Sequence, residues 1–114
     1  MVAIIVATSV HDFEHFGVNN AYLTESKHDL ALRYNDISVL ENHHIGAASK
    51  LMNTEGMRIF ENFSKEEQKD IRKKMVDMVL ATDMAKHFTD IAQFKNRVSA
   101  EDFSPDDQDK ALCM

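Results

Sequence analysis

One cysteine, one proline and three glycines are all that this 114-residue chain holds of those types. A single thiol, Cys113, excludes an internal disulfide and a Cys-based zinc site, and with them a disulfide-stapled secreted fold. So little Pro and Gly, beside 44% hydrophobic residues, excludes a collagen-like, low-complexity or disordered chain. Basic charge is short as well: 13 Lys and Arg stand against 19 Asp and Glu, a net charge of -6. A nucleic-acid polymer asks for the reverse, a basic footprint for its phosphates. The apolar run Val2 to Val10 is too short to cross a bilayer and has no basic residue before it, so it reads as neither signal peptide nor membrane anchor.

Strand signals are almost missing too, with no sustained alternation and no Asn-Gly or Asp-Gly hairpin turn. Helix signals fill the chain, which predicts an all-α domain. Val2 to His15 reads as a first helix stopped near Gly17, Asn19 to Ser26 as loop, and Asp29 to Tyr34 as a short helix. Ser38-Val-Leu-Glu41 has capping-box spacing, in which Ser38 and Glu41 each satisfy an orphan N–H, and predicts a helix over Val39 to Met52. Ser64-Lys-Glu-Glu67 repeats the signature and opens a long helix through Ala81, bending before a further stretch to Val98. Ser104-Pro105-Asp106-Asp107 starts another, with an N-cap, Pro in the first turn and two acids suited to the helix dipole. That helix has no stop signal before Met114. The first helix has no face prepared for water, as helices inside large domains do not. Both features predict a portion of a larger helical domain.

Chemistry-bearing residues gather in three places. His11-Asp12-Phe13-Glu14-His15 follows the apolar helix, with His11 and His15 one turn apart and Asp12 beside them. Imidazole nitrogen and carboxylate oxygen together suit borderline divalent cations, and a carboxylate can bridge two of them. The plain alternative is a helix end with ordinary polar residues. In Glu41-Asn42-His43-His44, helical geometry lines up Glu41, His44, Ile45, Ala48, Leu51 and Met52, so an acid and an imidazole sit on an apolar face. A buried carboxylate there needs a partner, unless Glu41 is simply the capping-box acid. In Leu80-Ala-Thr-Asp-Met-Ala-Lys-His87, Thr82 continues the Ile71, Met75, Met78 spacing and points inward, while Asp83 and His87 are spaced to pair on the wet side. The seven Met fill core gaps, and Arg72, Lys73 and Lys74, balanced by Glu66, Glu67 and Asp70, form a solvated face. There is no Gly-rich phosphate loop, no Gly-x-Ser-x-Gly elbow and no Cys-x-x-Cys.

In order and spacing, the strings His11-Asp-Phe-Glu-His15-Phe-Gly17-Val-Asn19-Asn20, Tyr34-Asn-Asp-Ile-Ser-Val-Leu-Glu-Asn-His-His44 and Met78-Val-Leu-Ala-Thr-Asp-Met-Ala-Lys-His87 together resemble the class I 3′,5′-cyclic nucleotide phosphodiesterase catalytic domain. The resemblance covers nearly the whole chain. It implies a multi-helix bundle of the HD and phosphodiesterase type, with residues 1–114 an incomplete central portion truncated at both ends. It also implies two divalent metal ions, one zinc-type and one magnesium- or manganese-type. His11 and Asp12 match metal ligands, Asp12 being the carboxylate shared by both. His15, Glu41 and Thr82 match positions around the second metal and its waters. Met84, Asn20 and His44 are the substrate-pocket candidates. The activity implied is hydrolysis of cyclic AMP or cyclic GMP to the 5′-monophosphate by a hydroxide activated between the two metals. A cytoplasmic setting goes with this, and a dimer in the parent is compatible with it.

Phe16 stands where the family most often has Pro, and Ser49 where an aromatic is usual. The family's upstream His-Asn-x-x-His segment, with the general acid histidine, has no counterpart in this chain, nor has its final metal-binding Asp. Loss of a general acid alone removes ~10²–10⁴ of rate, so the isolated chain is expected to be inactive or nearly so. Two other readings remain: a different HD-type metal phosphohydrolase, and a non-catalytic helical module that binds a partner helix.

Overall fold

The computed structural model describes residues 1–100 and Phe103; the predicted helix start at Ser104 to Asp107, and Cys113, lie outside them. Among the described residues the chain is all helix: α1 Val2–Val10, α2 Asn20–Glu25, α3 Asp29–Arg33, α4 Val39–Met52, α5 Lys65–Leu80 and α6 His87–Val98. The chain divides into a unit Met1–Asp83, which holds α1 to α5, and a second that begins at Met84 and holds α6.

Two small cores organise the first unit. In α5, Ile71, Met75 and Val79 recur every fourth residue and form one buried stripe. They meet Ala3 and Ala7 of α1 and Ile45 of α4, with Val6, Val10, Met52 and Phe63 packed around them. Ala3 and Ala7 are small and share a face, so α1 lies closely along α5. The second core joins Leu23, Leu30, Ala31, Val39 and Leu40, with Val18 and Tyr34 beside them. Helix α4 belongs to both cores, and His44 sits on it between Leu40 of one and Ile45 of the other.

Several expectations need correction. Helix α1 ends at Val10 and does not reach His15, because Glu14 (φ 59°) and Gly17 (φ 75°) are left-handed and the intervening bonds are tight turns, Phe13 N–H to Val10 and His15 N–H to Asp12. The expectation that α1 has no face prepared for water does hold, its apolar Val2 and Ile5 being 40% and 57% exposed. The stretch expected as loop contains α2, whose first turn is capped by Asn19 accepting the Tyr22 N–H at 2.9 Å. The long helix expected from Ser64 through Ala81, with a bend before a further stretch to Val98, is found as α5 and α6, with Ala81 to Lys86 turning between them. The α4 boundaries hold as predicted, but the box at Ser38 does not form. Ser38 is left-handed (φ 42°) and its hydroxyl turns away to Asp83.

The second capping box does form. Ser64 accepts the Glu67 N–H, while the Glu67 carboxylate accepts both the Ser64 N–H at 2.9 Å and its hydroxyl at 2.8 Å. Those bonds hold the Glu67 carboxyl below its usual range. Along the outer side of α5, Lys74 pairs with Asp70 and Lys73 with Asp77, each four residues apart. Arg72 departs from that solvated face, reaching the Ser49 hydroxyl and tying α5 to α4. Within the second unit, α6 carries Ile91, Phe94 and Val98 at helical spacing and buries none of its residues.

Candidate metal centre

Residues 11–17 leave α1 as a tight loop that folds back over α4. A straight helix would stack His15 one turn beyond His11. The left-handed turn at Glu14 instead brings the His15 ring onto that of His44, centroids 5.5 Å apart and planes 26° from parallel. Ligand atoms of Asp12, His15 and His44 then lie within 4.8 Å of one another. Asp12 and His15 are exposed, and His44 is 2% exposed.

The hydrogen bonds fix what each ring offers. A carbonyl only accepts, so His44 carries a proton on Nδ1, which donates to the Phe13 carbonyl at 2.7 Å. Burial pushes the His44 ring below the ordinary histidine value, and the Phe13 bond and nearby Asp12 only partly oppose it. The neutral ring therefore presents an Nε2 lone pair, and that atom faces Asp12 Oδ1 at 4.0 Å. His11 is oriented in the same way. Its Nδ1–H donates to the Thr8 carbonyl at 2.8 Å, and its Nε2 approaches Asp12 Oδ2 at 3.3 Å. Each carboxylate oxygen thus has an imidazole nitrogen in front of it. Two lone pairs at such range repel unless a proton or a cation stands between them, so the Asp12 carboxylate facing His44 Nε2 is a donor pair that fits a divalent metal.

His15 differs. The Gly17 N–H donates into its Nδ1 at 2.9 Å, which leaves the proton of the neutral ring on Nε2. As oriented, His15 is a hydrogen-bond donor beside the centre, able to hold a water or an anion, rather than a second lone pair.

The remaining predicted residues divide. Glu41 is half-buried and does have its partner: Asn20 Nδ2 donates to its Oε2 at 2.9 Å, and Asn20 Oδ1 accepts the Leu40 N–H at 2.8 Å. Thr82 is exposed and donates to the Val79 carbonyl at 2.7 Å, so it does not continue the inward stripe of α5. The helix has ended at Leu80, and helical spacing no longer governs its direction. Asp83 is buried, at 7% exposure, and not on the wet side; it accepts the Ser38 hydroxyl. Met84, largely exposed, opens the second unit.

Sequence reasoning missed the pairing of Glu14 with His43 at 3.0 Å, and the position of Phe16 against the His43 ring. A local pattern carries no sign of either, because each depends on the loop folding back. The two-handed role of Asn20 had a fainter signal, in the Asn-Asn pair ahead of Ala-Tyr-Leu.

The sequence model of the 3′5′-cyclic nucleotide phosphodiesterase family matches residues 1–114. Among solved structures, the phosphodiesterase domain of the RhoPDE fusion protein from the choanoflagellate Salpingoeca rosetta is 35% identical, with a TM-score of 0.87; the match covers 97% of this chain and 36% of that one. The phosphodiesterase domain of Salpingoeca rosetta rhodopsin phosphodiesterase is 33% identical, with a TM-score of 0.88, over 98% of this chain and 35% of that one. The chain therefore spans about a third of the length of the structures it matches.

Proposed function

The chain belongs to the 3′,5′-cyclic nucleotide phosphodiesterase family, and from that premise we propose that residues 1–114 are part of a catalytic domain that hydrolyses cyclic AMP or cyclic GMP to the 5′-monophosphate in the cytoplasm. The observation that carries this reading is the Asp12 carboxylate with an imidazole Nε2 before each of its oxygens. His11, Asp12 and His44 would hold the metals, zinc-type and magnesium- or manganese-type. When bound, such cations neutralise phosphoryl oxygens and lower the pKa of water.

The chain's own groups do the rest of what it contributes. The Nδ1–H bonds of His11 and His44 keep both Nε2 atoms turned to Asp12. His15, protonated at Nε2, orients water or a phosphoryl oxygen. Glu41, steadied by Asn20, offers a carboxylate to waters near the centre. Thr82 and Asn20 are the further positions that this reading gives to water and substrate. Water adds to phosphorus as the bond to the 3′ oxygen breaks, and the proton for that leaving oxygen comes from a histidine outside residues 1–114. For that reason the isolated chain is inactive in this reading.

The test is made in the complete catalytic domain, with both cyclic nucleotides, with and without a chelator, and with Asp12→Ala. Chelation and Asp12→Ala should each abolish turnover of at least one nucleotide. Full activity in the Asp12→Ala protein would remove Asp12 from the mechanism, and a complete domain inert toward both nucleotides would favour a helical interaction module.

A further inference from the structure

Asp12 and His15 reach His44 only because the loop between them turns through a left-handed Glu14, a conformation that costs a non-glycine residue roughly 1–2 kcal/mol. Something must hold it there. Packing under the loop is not sufficient: Phe13 is half-buried, and Glu14 lines an open cavity of about 560 Å³ with Arg33, His43 and Lys50. Besides the His44 Nδ1–H bond to the Phe13 carbonyl, which fixes the loop one residue earlier, the loop has a side-chain bond at its apex, the Glu14 carboxylate accepting from His43 Nε2 at 3.0 Å. His43 is the better anchored partner, since its side chain is 15% exposed and rides on α4, next to His44. Its ring is held from the side by Phe16, centroids 5.2 Å apart, and Phe16 in turn lies against His28 at 6.1 Å. His28 is itself fixed, because its Nδ1 accepts the Leu30 N–H at the start of α3.

We propose that the Glu14–His43 pair, braced by Phe16, is a tie that sets the 11–17 loop and so brings Asp12 and His15 to His44. Glu14, His43 and Phe16 are positioning residues in this scheme. Its meaning for metal binding rests on the reading above, while its effect on the loop does not. Phe16 stands where the resemblance gives Pro. A ring that restricts its own backbone is replaced by a ring that stacks, and the burden of shaping the loop moves to contacts with α4 and α3.

The complete catalytic domain tests this in two arms. Without metal, amide hydrogen exchange at His15 and Gly17 and the nuclear Overhauser contact between the His15 and His44 rings are followed in Glu14→Gln, His43→Gln and the double variant. Each single variant should lose the ring contact and exchange about tenfold faster in the loop, with α4 protection unchanged, and the double should be no worse than the singles. The exchanged pair Glu14→Lys with His43→Glu should restore the loop, which a packing role alone would not. Loop exchange and ring contact unaltered in both singles would overturn the tie. In the second arm, calorimetric titration of the complete domain with Mn²⁺ should give each single variant an affinity about tenfold below the unsubstituted protein, within the range for groups that orient ligands. If the unsubstituted complete domain takes up no Mn²⁺, the metal reading falls and the first arm still decides the tie.

Discussion

The Ser38 hydroxyl donates to the Asp83 carboxylate at 2.7 Å, both residues buried, and this bond joins the start of α4 to the turn that follows α5. It connects positions 45 residues apart and fastens together two segments that carry candidate site residues, Glu41 and Thr82. A buried carboxylate deprived of a donor costs more than the bond itself returns on average.

Ser38→Ala should accordingly lower the unfolding free energy by about 1–3 kcal/mol in urea melts. Ser38→Gly removes the same hydroxyl but relaxes the left-handed backbone at φ 42°, so it should cost measurably less than Ser38→Ala. Equal losses in the two variants would mean that backbone strain at this position is negligible.

His44→Phe keeps the ring volume in a nearly closed site but leaves the Phe13 carbonyl without its donor and removes the Nε2 lone pair facing Asp12. The expected result is a loss of about 1–3 kcal/mol in stability together with loss of Mn²⁺ or Zn²⁺ uptake by calorimetry. Unchanged metal affinity would take His44 out of the ligand set.

Legibility in the sequence followed distance along the chain. The Ser64 capping box was legible in full, because it rests on residues within one turn of each other, and the bounds of α4 were read correctly although the box at its start does not form. The candidate centre was legible only in part. His11 and Asp12 are neighbours, and Glu41 and His44 share a helix face, so local spacing marked them as candidates and the family resemblance supplied their roles. The convergence of His15 on His44 was hidden, since it arises from two left-handed residues and not from periodicity. Ser38 illustrates the converse. Its Ser-x-x-Glu pattern is a sound local signal, and it was overruled by two distant partners, Asp83 for the hydroxyl and Asn20 for Glu41.

Close packing of α1 on α5 makes a sharper prediction. Ala7 is 3% exposed against the Met75 and Val79 stripe, whereas Ile5 on the same helix is more than half exposed. Ala7→Leu should overpack the contact and cost about 1–3 kcal/mol, while Ile5→Leu should stay within about 0.5 kcal/mol. Thermal melts followed by circular dichroism would separate them.

The Glu67 carboxyl is held below its usual range by the Ser64 hydroxyl and N–H. The folded state thus binds its proton more weakly than the unfolded chain. Its contribution is complete above the usual carboxylate range and is lost as pH falls through the depressed folded value. The melting temperature should therefore fall with acidification below about pH 4.5, and Ser64→Ala, which removes an N-cap worth about 1 kcal/mol at neutral pH, should flatten that fall. An identical acid slope in the variant would assign the loss to other carboxyls.

Asn20 supplies the oxygen that receives the Leu40 N–H, so the first turn of α4 is closed by a residue that sits at the opening of α2. A helix that borrows its cap inherits its starting point from elsewhere in the chain. Insertions in the exposed turn around Ser26 and Lys27 should be tolerated only while they leave the two helix starts in register. The length of that hairpin, and not merely its composition, is therefore under structural constraint.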